Sequence, residues 1–185
     1  MNTIKHLPWF ALYVKPRHEK NVALILQAKG YEAFLPTYCH RVKYNKSFEL
    51  PLFPSYVFCR IELSNRLPVM MTPGIFSIVG NGPEPEPISE NEVQGVRRML
   101  ESGFMPIPWP YVLPGQEVTL ESGPLRGVQG VVVDASDGRW LVVSVNLLRR
   151  SVGVKVEREF LSVKTSSASS AKFRTPHLSG KTSHG

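Results

Sequence analysis

The chain has 185 residues and a formal net charge of +7 at pH 7, with 22 lysine and arginine residues against 15 aspartate and glutamate residues. Its hydrophobic fraction of 42% and aromatic fraction of 10% are sufficient for packed cores, which excludes a chain that is disordered throughout. No apolar run reaches the roughly 18 residues of a membrane helix, the N-terminus lacks a signal-peptide core, and Cys39 and Cys59 are too few for a disulfide framework. We therefore expect a basic, soluble, cytoplasmic protein of one or two small domains without a membrane partner.

The first predicted elements are a strand, a helix and a strand. Trp9-Phe-Ala-Leu-Tyr-Val14 is typical of a strand, Pro16 favours a helix start, and apolar residues recur at helical spacing until Gly30. Strand-like sequence returns over residues 31–38, and residues 39–50 indicate a polar loop or a hairpin arm.

Two further strands and a helix complete the first zone. Residues 52–61 and 75–79 are strand-like, and Ser89-Glu-Asn-Glu92 is the pattern of a capping box that opens a helix. The order of these elements predicts an α+β fold: an antiparallel sheet sandwiched with helices over residues 7–103.

The remaining chain divides into a linker, a second domain and a tail. Four prolines over residues 104–114 predict a semi-rigid linker or docking strap, because proline disfavours helices and central strands. Over residues 115–164, short alternating strands and the hairpin signal Asp137-Gly138 predict a miniature β-barrel. Residues 165–185 are rich in serine and contain no acidic residue, and they predict a disordered tail.

The predicted sheet has large apolar side chains on both faces. Period-two alternation places Tyr56 and Phe58 on one face of their strand, and Val57 and Cys59 on the other. If helices cover one face only, the other is an exposed apolar patch of the kind that binds a partner. Coverage of that face by loops is the alternative that the sequence leaves open.

The sequence gives no sign of catalytic chemistry. No histidine is paired with a convincing nucleophile, and the glycine-containing segments match neither a phosphate loop nor a dinucleotide fingerprint. Cys39 and His40 are adjacent, but two ligands without a second pair are a weak metal signature. We expect no enzyme, no cofactor and no metal; an enzyme with a metal at Cys39 and His40 is the alternative, which elemental analysis would test.

Charge is unevenly distributed along the first zone. Residues 15–60 contain eight basic and three acidic residues, whereas residues 61–103 contain three basic and six acidic residues. The basic cluster Lys15, Arg17, His18 and Lys20 lies where the first predicted helix begins, and helix N-termini favour phosphate. These residues predict a nucleic-acid contact, with a merely solvated basic face as the alternative.

Several ordered motifs resemble NusG-type transcription elongation factors. The segments that resemble their N-terminal (NGN) domain are Trp9-Phe-Ala-Leu-Tyr-Val-Lys-Pro-Arg-His-Glu-Lys20, Pro51-Leu-Phe-Pro-Ser-Tyr-Val-Phe58, Thr72-Pro-Gly-Ile75 and Pro87-Ile-Ser89. Ser122-Gly-Pro-Leu-Arg-Gly127 resembles the KOW motif of the SH3-like barrel that follows in the same proteins. The first two segments are more similar to specialised paralogues, such as RfaH and the antiterminators of polysaccharide and biosynthetic operons, than to housekeeping NusG.

The resemblance implies a transcription elongation and antitermination factor. In this family the N-terminal domain binds the clamp helices of the largest RNA polymerase subunit and suppresses pausing and termination, in the specialised members on particular operons, which implies a nucleoid-associated location during transcription. By position, the clamp-binding residues here would be Tyr13, Phe53, Pro54, Tyr56 and Phe58. The basic cluster falls where RfaH-like members meet the non-template DNA strand.

Two further implications concern the other partners. The loop of Leu147, Leu148 and Arg149 corresponds to the barrel loop that meets Rho or the ribosomal protein NusE in housekeeping members. Asn65-Arg66-Leu67-Pro68 replaces the RfaH run that touches the opposite jaw of the polymerase, so that contact is not implied here. Because KOW barrels also occur in ribosomal proteins, an RNA-binding or ribosome-associated protein is the alternative function, and tight RNA binding by the isolated barrel would favour it.

Overall fold

A computed structural model describes residues 7–42, 46–113, 117–157 and 163–165. The strands are β1 (Trp9–Val14), β2 (Ala33–Phe34), β3 (Thr37–Val42), β4 (Lys46–Pro51), β5 (Tyr56–Arg60), β6 (Ile75–Ile78), β7 (Ile107–Trp109), β8 (Val118–Leu120), β9 (Gln129–Ala135), β10 (Gly138–Val145), β11 (Arg150–Val156) and β12 (Val163–Thr165). The α-helices are α1 (Glu19–Ala28), α2 (Leu67–Met70) and α3 (Glu90–Glu101), and 3₁₀ turns lie at Leu63–Asn65 and Asn146–Leu148.

The N-terminal half is built on a four-stranded antiparallel sheet in the order β2-β5-β1-β6. The sequence prediction of a strand over residues 9–14 is confirmed, and its alternation separates two cores. Phe10 and Leu12 point to one face, where they form a buried cluster with Val22 and Leu26 of α1. The α+β class predicted from the order of elements is confirmed.

The second face of this sheet is covered by α3 over part of its area. Trp9 and Ala11 of β1 and Phe58 of β5 are buried there in one cluster with Val93 and Val96 of α3. The sequence left two alternatives for this face, exposure to solvent or coverage by loops. In the structure, helix α3 covers much of it.

The C-terminal half is a six-stranded antiparallel sheet in the order β12-β8-β9-β10-β11-β7. The hairpin predicted at Asp137-Gly138 joins β9 to β10 and is confirmed. Helix α3 packs on β9 and β10, and the buried cluster beneath α3 continues into the C-terminal sheet through Val143 and Leu141. Helix α3 is therefore shared by both halves of the molecule.

The proline-rich segment is attached to the C-terminal sheet. Strand β7 pairs with β11, which places Pro108 opposite Val152 at the edge of the sheet, where proline is tolerated. The side-chain oxygen of Ser151 accepts a hydrogen bond from the Val112 amide at 3.1 Å, and the Ser144 hydroxyl donates to the Val112 carbonyl at 2.9 Å. Of the two predictions made for this segment, a docking strap describes residues 107–112 better than a free linker.

One predicted helix start and one predicted cap differ from the structure. Helix α1 begins at Glu19 rather than at Pro16, because Arg17 has a left-handed backbone (φ 67°) that interrupts helical geometry. Ser89 is the N-cap residue of α3, as predicted, but its side chain makes no capping hydrogen bond, and Glu92 accepts hydrogen bonds from Asn146 instead. The tail predicted for residues 165–185 lies outside the described residues from 166 onward.

Within the described residues, no helix has both the length and the apolar character that a bilayer crossing requires.

Candidate functional site

Three aromatic side chains meet on the part of the second sheet face that α3 leaves open. The rings of Tyr13 and Tyr56 have centroids 5.8 Å apart, and those of Tyr13 and Phe76 are 5.6 Å apart. Tyr13 is 40% exposed, Phe76 is 57% exposed and Tyr56 is half-buried. We call Tyr13, Tyr56 and Phe76 the aromatic patch; it spans β5, β1 and β6 at one end of the sheet.

A β-bulge brings Phe76 into this patch. In the pairing of β1 with β6, Tyr13 lies opposite Ser77 and Val14 lies opposite Ile75, so Phe76 is the extra residue. Ile75 and Ile78 both pack on the α1 side of the sheet, while Phe76 and Ser77 are both exposed. A bulge re-aims side chains in this way. Phe76 could not be assigned to the site from sequence because strict alternation does not predict a bulge; the signal that the sequence offers is a large aromatic residue in a short strand.

Two of the five predicted clamp-binding residues are not at the surface. Phe53 and Phe58 are each 1% exposed, and their rings contact each other in a perpendicular arrangement with centroids 5.3 Å apart. The expectation that they form an exposed face is therefore wrong, because α3 covers Phe58 and the turn before β5 folds Phe53 into the same cluster. Pro54, by contrast, is exposed.

The predicted hairpin arm, β3–β4, carries a second row of partly exposed rings. Register pairs Tyr38 with Leu50 and His40 with Phe48, so these four side chains share one face of the arm. The rings of Tyr38 and His40 are in edge contact at 6.2 Å, and Phe48 is 52% exposed. Tyr38 packs against the same buried cluster as Tyr56, so the arm and the aromatic patch lie on the same side of the sheet.

The basic cluster lies at the end of β1, directly after the aromatic patch. Lys15, Arg17 and Lys20 are exposed, and His18 is half-buried beside Gly74. The Lys15 amide donates to the Gly74 carbonyl at 2.8 Å, and Lys20 forms an exposed ion pair with Glu49 of the arm at 3.2 Å. The structure thus places these four predicted nucleic-acid-binding residues together at the junction between β1 and α1.

The loop after β10 is less accessible than the sequence analysis assumed. Leu148 is buried, Leu147 packs against the same cluster, and Asn146 and Arg149 are exposed. The expectation that Leu148 is exposed for partner binding is therefore wrong, because the 3₁₀ turn directs this side chain into the core.

The proline-rich strap contacts the same loop. Tyr111 of the strap donates a hydrogen bond to the side chain of Asn146 at 3.0 Å.

A small cleft separates α3 from the C-terminal sheet. Its volume is about 170 Å³, and its lining includes Glu92, Glu117 and Asn146. Asn146 donates to the Glu92 carboxylate from its side chain at 2.7 Å. Burial raises the pKa of Glu92 and outweighs the hydrogen bonds from Asn146, and the nearby Glu117 carboxylate raises it further.

The cysteines show no arrangement for metal binding or catalysis. Burial raises the pKa of the Cys59 thiol to about 12, so it is protonated at neutral pH. Cys39 is exposed on the arm, and within the described residues no three His, Cys, Asp or Glu side chains converge on a point that could hold a metal.

Comparison with known proteins relates the N-terminal half of the chain to a protein family. Residues 7–97 match the family described as "Transcription termination factor nusG". These residues form a NusG family domain. The NusG domain includes the whole aromatic patch, the arm and the basic cluster.

Two curated relatives are similar in sequence to part of this chain. The transcription termination/antitermination protein NusG of Pseudomonas aeruginosa is 30% identical over 114 residues, which cover 59% of this chain and 64% of the relative. The protein of the same name from Helicobacter pylori is 23% identical over 114 residues, with coverages of 60% and 65%. The chain thus spans less than two thirds of the length of these curated relatives.

Two solved structures show weaker similarity to this chain. The structure described as "Domain interaction in Thermotoga maritima NusG" has a TM-score of 0.48 and 19% identity, covering 82% of this chain and 94% of that one. A crystal structure of the MjSpt4:Spt5 complex has a TM-score of 0.29 and 15% identity, covering 88% of this chain and 99% of that one.

Proposed function

We propose that this chain is a non-enzymatic transcription elongation and antitermination factor whose NusG domain docks on RNA polymerase through the aromatic patch. The partner surface is the pair of clamp helices of the largest polymerase subunit. Docking there favours the elongating enzyme and suppresses pausing and termination. The membership of residues 7–97 in the NusG family supports this role.

The observation that carries the proposal is the exposure of the patch. Tyr56 and Phe76 each contact Tyr13, and all three rings remain at least partly open to solvent, although α1 and α3 cover most other large apolar side chains of the sheet. Tyrosine supplies large contact area together with a polar hydroxyl, and aromatic anchors carry much of the binding energy of protein interfaces. Phe53 and Phe58 belong to the buried cluster against which Tyr56 packs, so they support the patch rather than contacting the partner.

The basic cluster gives the docked protein a second contact. The exposed Lys15, Arg17 and Lys20 adjoin the patch along the chain, so a polymerase-bound NusG domain presents positive charge at the edge of the patch. Phosphate attraction to these residues would hold the non-template DNA strand without reading its sequence. We extend the proposal to action on particular operons, which the RfaH-like form of the motifs supports.

The C-terminal sheet is proposed to bind a further partner, Rho or the ribosomal protein NusE, through the loop that ends at Arg149. Arg149 is exposed, whereas Leu148 belongs to the core. Binding through this loop therefore depends on Arg149 and the partly buried Leu147.

Binding to a fragment that contains the clamp helices tests the proposal. Truncating Tyr13, Tyr56 or Phe76 to alanine is expected to weaken binding by about tenfold or more, because aromatic anchors at the centre of an interface dominate its affinity. Isothermal titration calorimetry measures the loss, and thermal unfolding checks that each variant is folded. Phe53→Ala is unsuitable, because truncating this buried ring costs about 3–5 kcal/mol of stability.

Leu24→Ala is the matched control. Leu24 is as exposed as Phe76, at 57%, but lies on α1, outside the aromatic patch. Its truncation should leave the affinity unchanged. Equal affinity of the folded patch variants and the wild type would contradict the proposed docking surface.

A further inference from the structure

Glu19 is a buried carboxylate of α1 that forms a hydrogen bond with the turn before β5. It is the first residue of α1 and is only 7% exposed. Its Oε1 accepts a hydrogen bond of 2.9 Å from the backbone amide of Ser55, and within the described residues it has no ion pair. Burying a carboxylate is unfavourable unless hydrogen bonds and local dipoles compensate, which the N-terminus of α1 does in part.

The amide that Glu19 holds belongs to a strained turn. Ser55 has a left-handed backbone, with φ at 69°, which is unfavourable for a residue other than glycine. The Tyr56 amide closes the turn by donating to the Phe53 carbonyl at 3.1 Å, and the Ser55 carbonyl accepts from the Val14 amide at 2.9 Å. Removing the carboxylate removes the one side-chain hydrogen bond described at this strained residue.

This turn determines how the candidate site is presented. It carries the exposed Pro54 and leads directly into Tyr56, whose ring contacts Tyr13. On the other side of the carboxylate, Glu19 lies between His18 and Lys20 of the basic cluster. The buried side chain of Glu19 therefore connects the Ser55 turn, which leads into the aromatic patch, with the start of α1.

We propose that Glu19 is a positioning residue for the aromatic patch: its carboxylate locks the Ser55 turn so that Pro54 and Tyr56 are held ready for the partner. The inference rests on the proposed polymerase docking for its functional consequence, but the locking itself is a property of the free protein. Glu19 makes no contact with the partner and acts only through the Ser55 amide. The side-chain carbonyl of a glutamine at this position can accept the same hydrogen bond, whereas alanine cannot.

The first test measures hydrogen exchange of the Ser55 amide in the free protein. Glu19→Ala is expected to accelerate exchange by about tenfold or more, because the Ser55 amide loses its acceptor, whereas Glu19→Gln, whose side-chain carbonyl accepts the same hydrogen bond, should stay near the wild-type rate. Glu62→Ala, which removes an exposed carboxylate elsewhere in the NusG domain, is the control and should change nothing at Ser55. Unchanged Ser55 exchange in Glu19→Ala overturns the inference, whatever the protein binds.

The second test measures affinity for the clamp-helix fragment. Glu19→Ala should bind about fivefold to tenfold more weakly, with Glu19→Gln and Glu62→Ala close to wild type. In a Ser55→Gly background the turn no longer needs to be held against strain, so Glu19→Ala should lose much less affinity there. If Glu19→Ala loses the same affinity in the wild-type and Ser55→Gly backgrounds, the positioning role is overturned. This comparison applies even where Glu19→Ala by itself destabilises the fold. If the wild type does not bind the fragment, the proposed function fails, while the exchange measurement still decides the role of Glu19.

Discussion

Arg17 combines the charge of the basic cluster with a strained backbone. Its φ of 67° lies in the region that glycine adopts freely, and its side chain is exposed. Strain of this kind concentrates at functional sites. The proposed DNA contact gives a reason for arginine at this position, because glycine would relieve the strain but remove the charge.

Two substitutions of Arg17 separate these contributions. Both Arg17→Gly and Arg17→Ala should weaken binding to single-stranded DNA and reduce its salt dependence by about one phosphate contact. Arg17→Gly should nevertheless be more stable than Arg17→Ala by about 1 kcal/mol, since only glycine relieves the left-handed strain. Urea unfolding and fluorescence titration measure the two effects. Equal stability of the variants would show that the turn is not strained at Arg17, and unchanged DNA affinity in both would remove Arg17 from the contact.

Glu92 makes the contact between α3 and the C-terminal sheet sensitive to pH. Burial raises its pKa in the folded state above the ordinary value of 4.5, so the folded protein binds the proton more tightly than the unfolded chain. The contribution of Glu92 to the free energy of unfolding should therefore be greatest below pH 4.5. It should fall as the pH rises through the raised pKa. Glu92→Gln, which cannot ionise, should raise the unfolding midpoint at pH 7.5 and lose this part of the pH dependence.

The matched control for Glu92 is Glu101→Gln, which alters an exposed carboxylate on the same helix. It should leave the pH dependence of the unfolding midpoint as in the wild type. If Glu92→Gln shows the same pH dependence as the wild type, the half-buried carboxylate does not contribute, and the contact with Asn146 is indifferent to its charge.

At the scale of elements, α3 is defined by what packs on both of its sides. One side covers Trp9 and Phe58 of the NusG domain, while Gly95 faces the C-terminal sheet. A Cβ added at Gly95 would lie 3.2 Å from the Cγ1 of Val143, so the absence of a side chain permits the close approach. Glycine within a helix is otherwise unfavourable.

Gly95→Leu should therefore separate the two halves of the molecule. The larger side chain cannot fit against Val143 without displacing β10, and overpacking of this kind costs about 1–3 kcal/mol. The helix itself gains about 1 kcal/mol of propensity, so α3 should remain folded. Small-angle scattering should show a larger radius of gyration, with Glu101→Leu, on an exposed position of the same helix, unchanged. A wild-type radius for Gly95→Leu would show that the contact adapts.

The sequence predicted elements well where local patterns determine them and poorly where distant residues do. Strand β1 and the β9–β10 hairpin follow from alternation and turn chemistry, and both are confirmed. The capping box at Ser89 failed because Glu92 is engaged by Asn146, more than fifty residues away. The bulge at Phe76 likewise depends on pairing with β1 and leaves no distinct mark on the sequence.

At the scale of the whole molecule, aromatic content alone could not say which rings are exposed. Phe53 and Phe58 share sequence motifs with Tyr56, but whether a ring is buried depends on where α3 and the turn before β5 lie. The position of the C-terminal sheet against α3 could not be predicted from the sequence either, because it depends on contacts between residues far apart in the chain. In the resulting arrangement the C-terminal sheet packs on α3 and leaves Tyr13 and Phe76 open to solvent.

The central claim is that this open aromatic patch is where the protein meets RNA polymerase, and site-specific photocrosslinking in a reconstituted elongation complex tests it most directly. A photoreactive phenylalanine analogue at position 76 should crosslink to the clamp helices of the largest subunit, whereas the same analogue at position 24, equally exposed on α1, should not. Crosslinks to the clamp helices from position 24 but not from position 76 would contradict the claim, as would the absence of any polymerase crosslink from position 76.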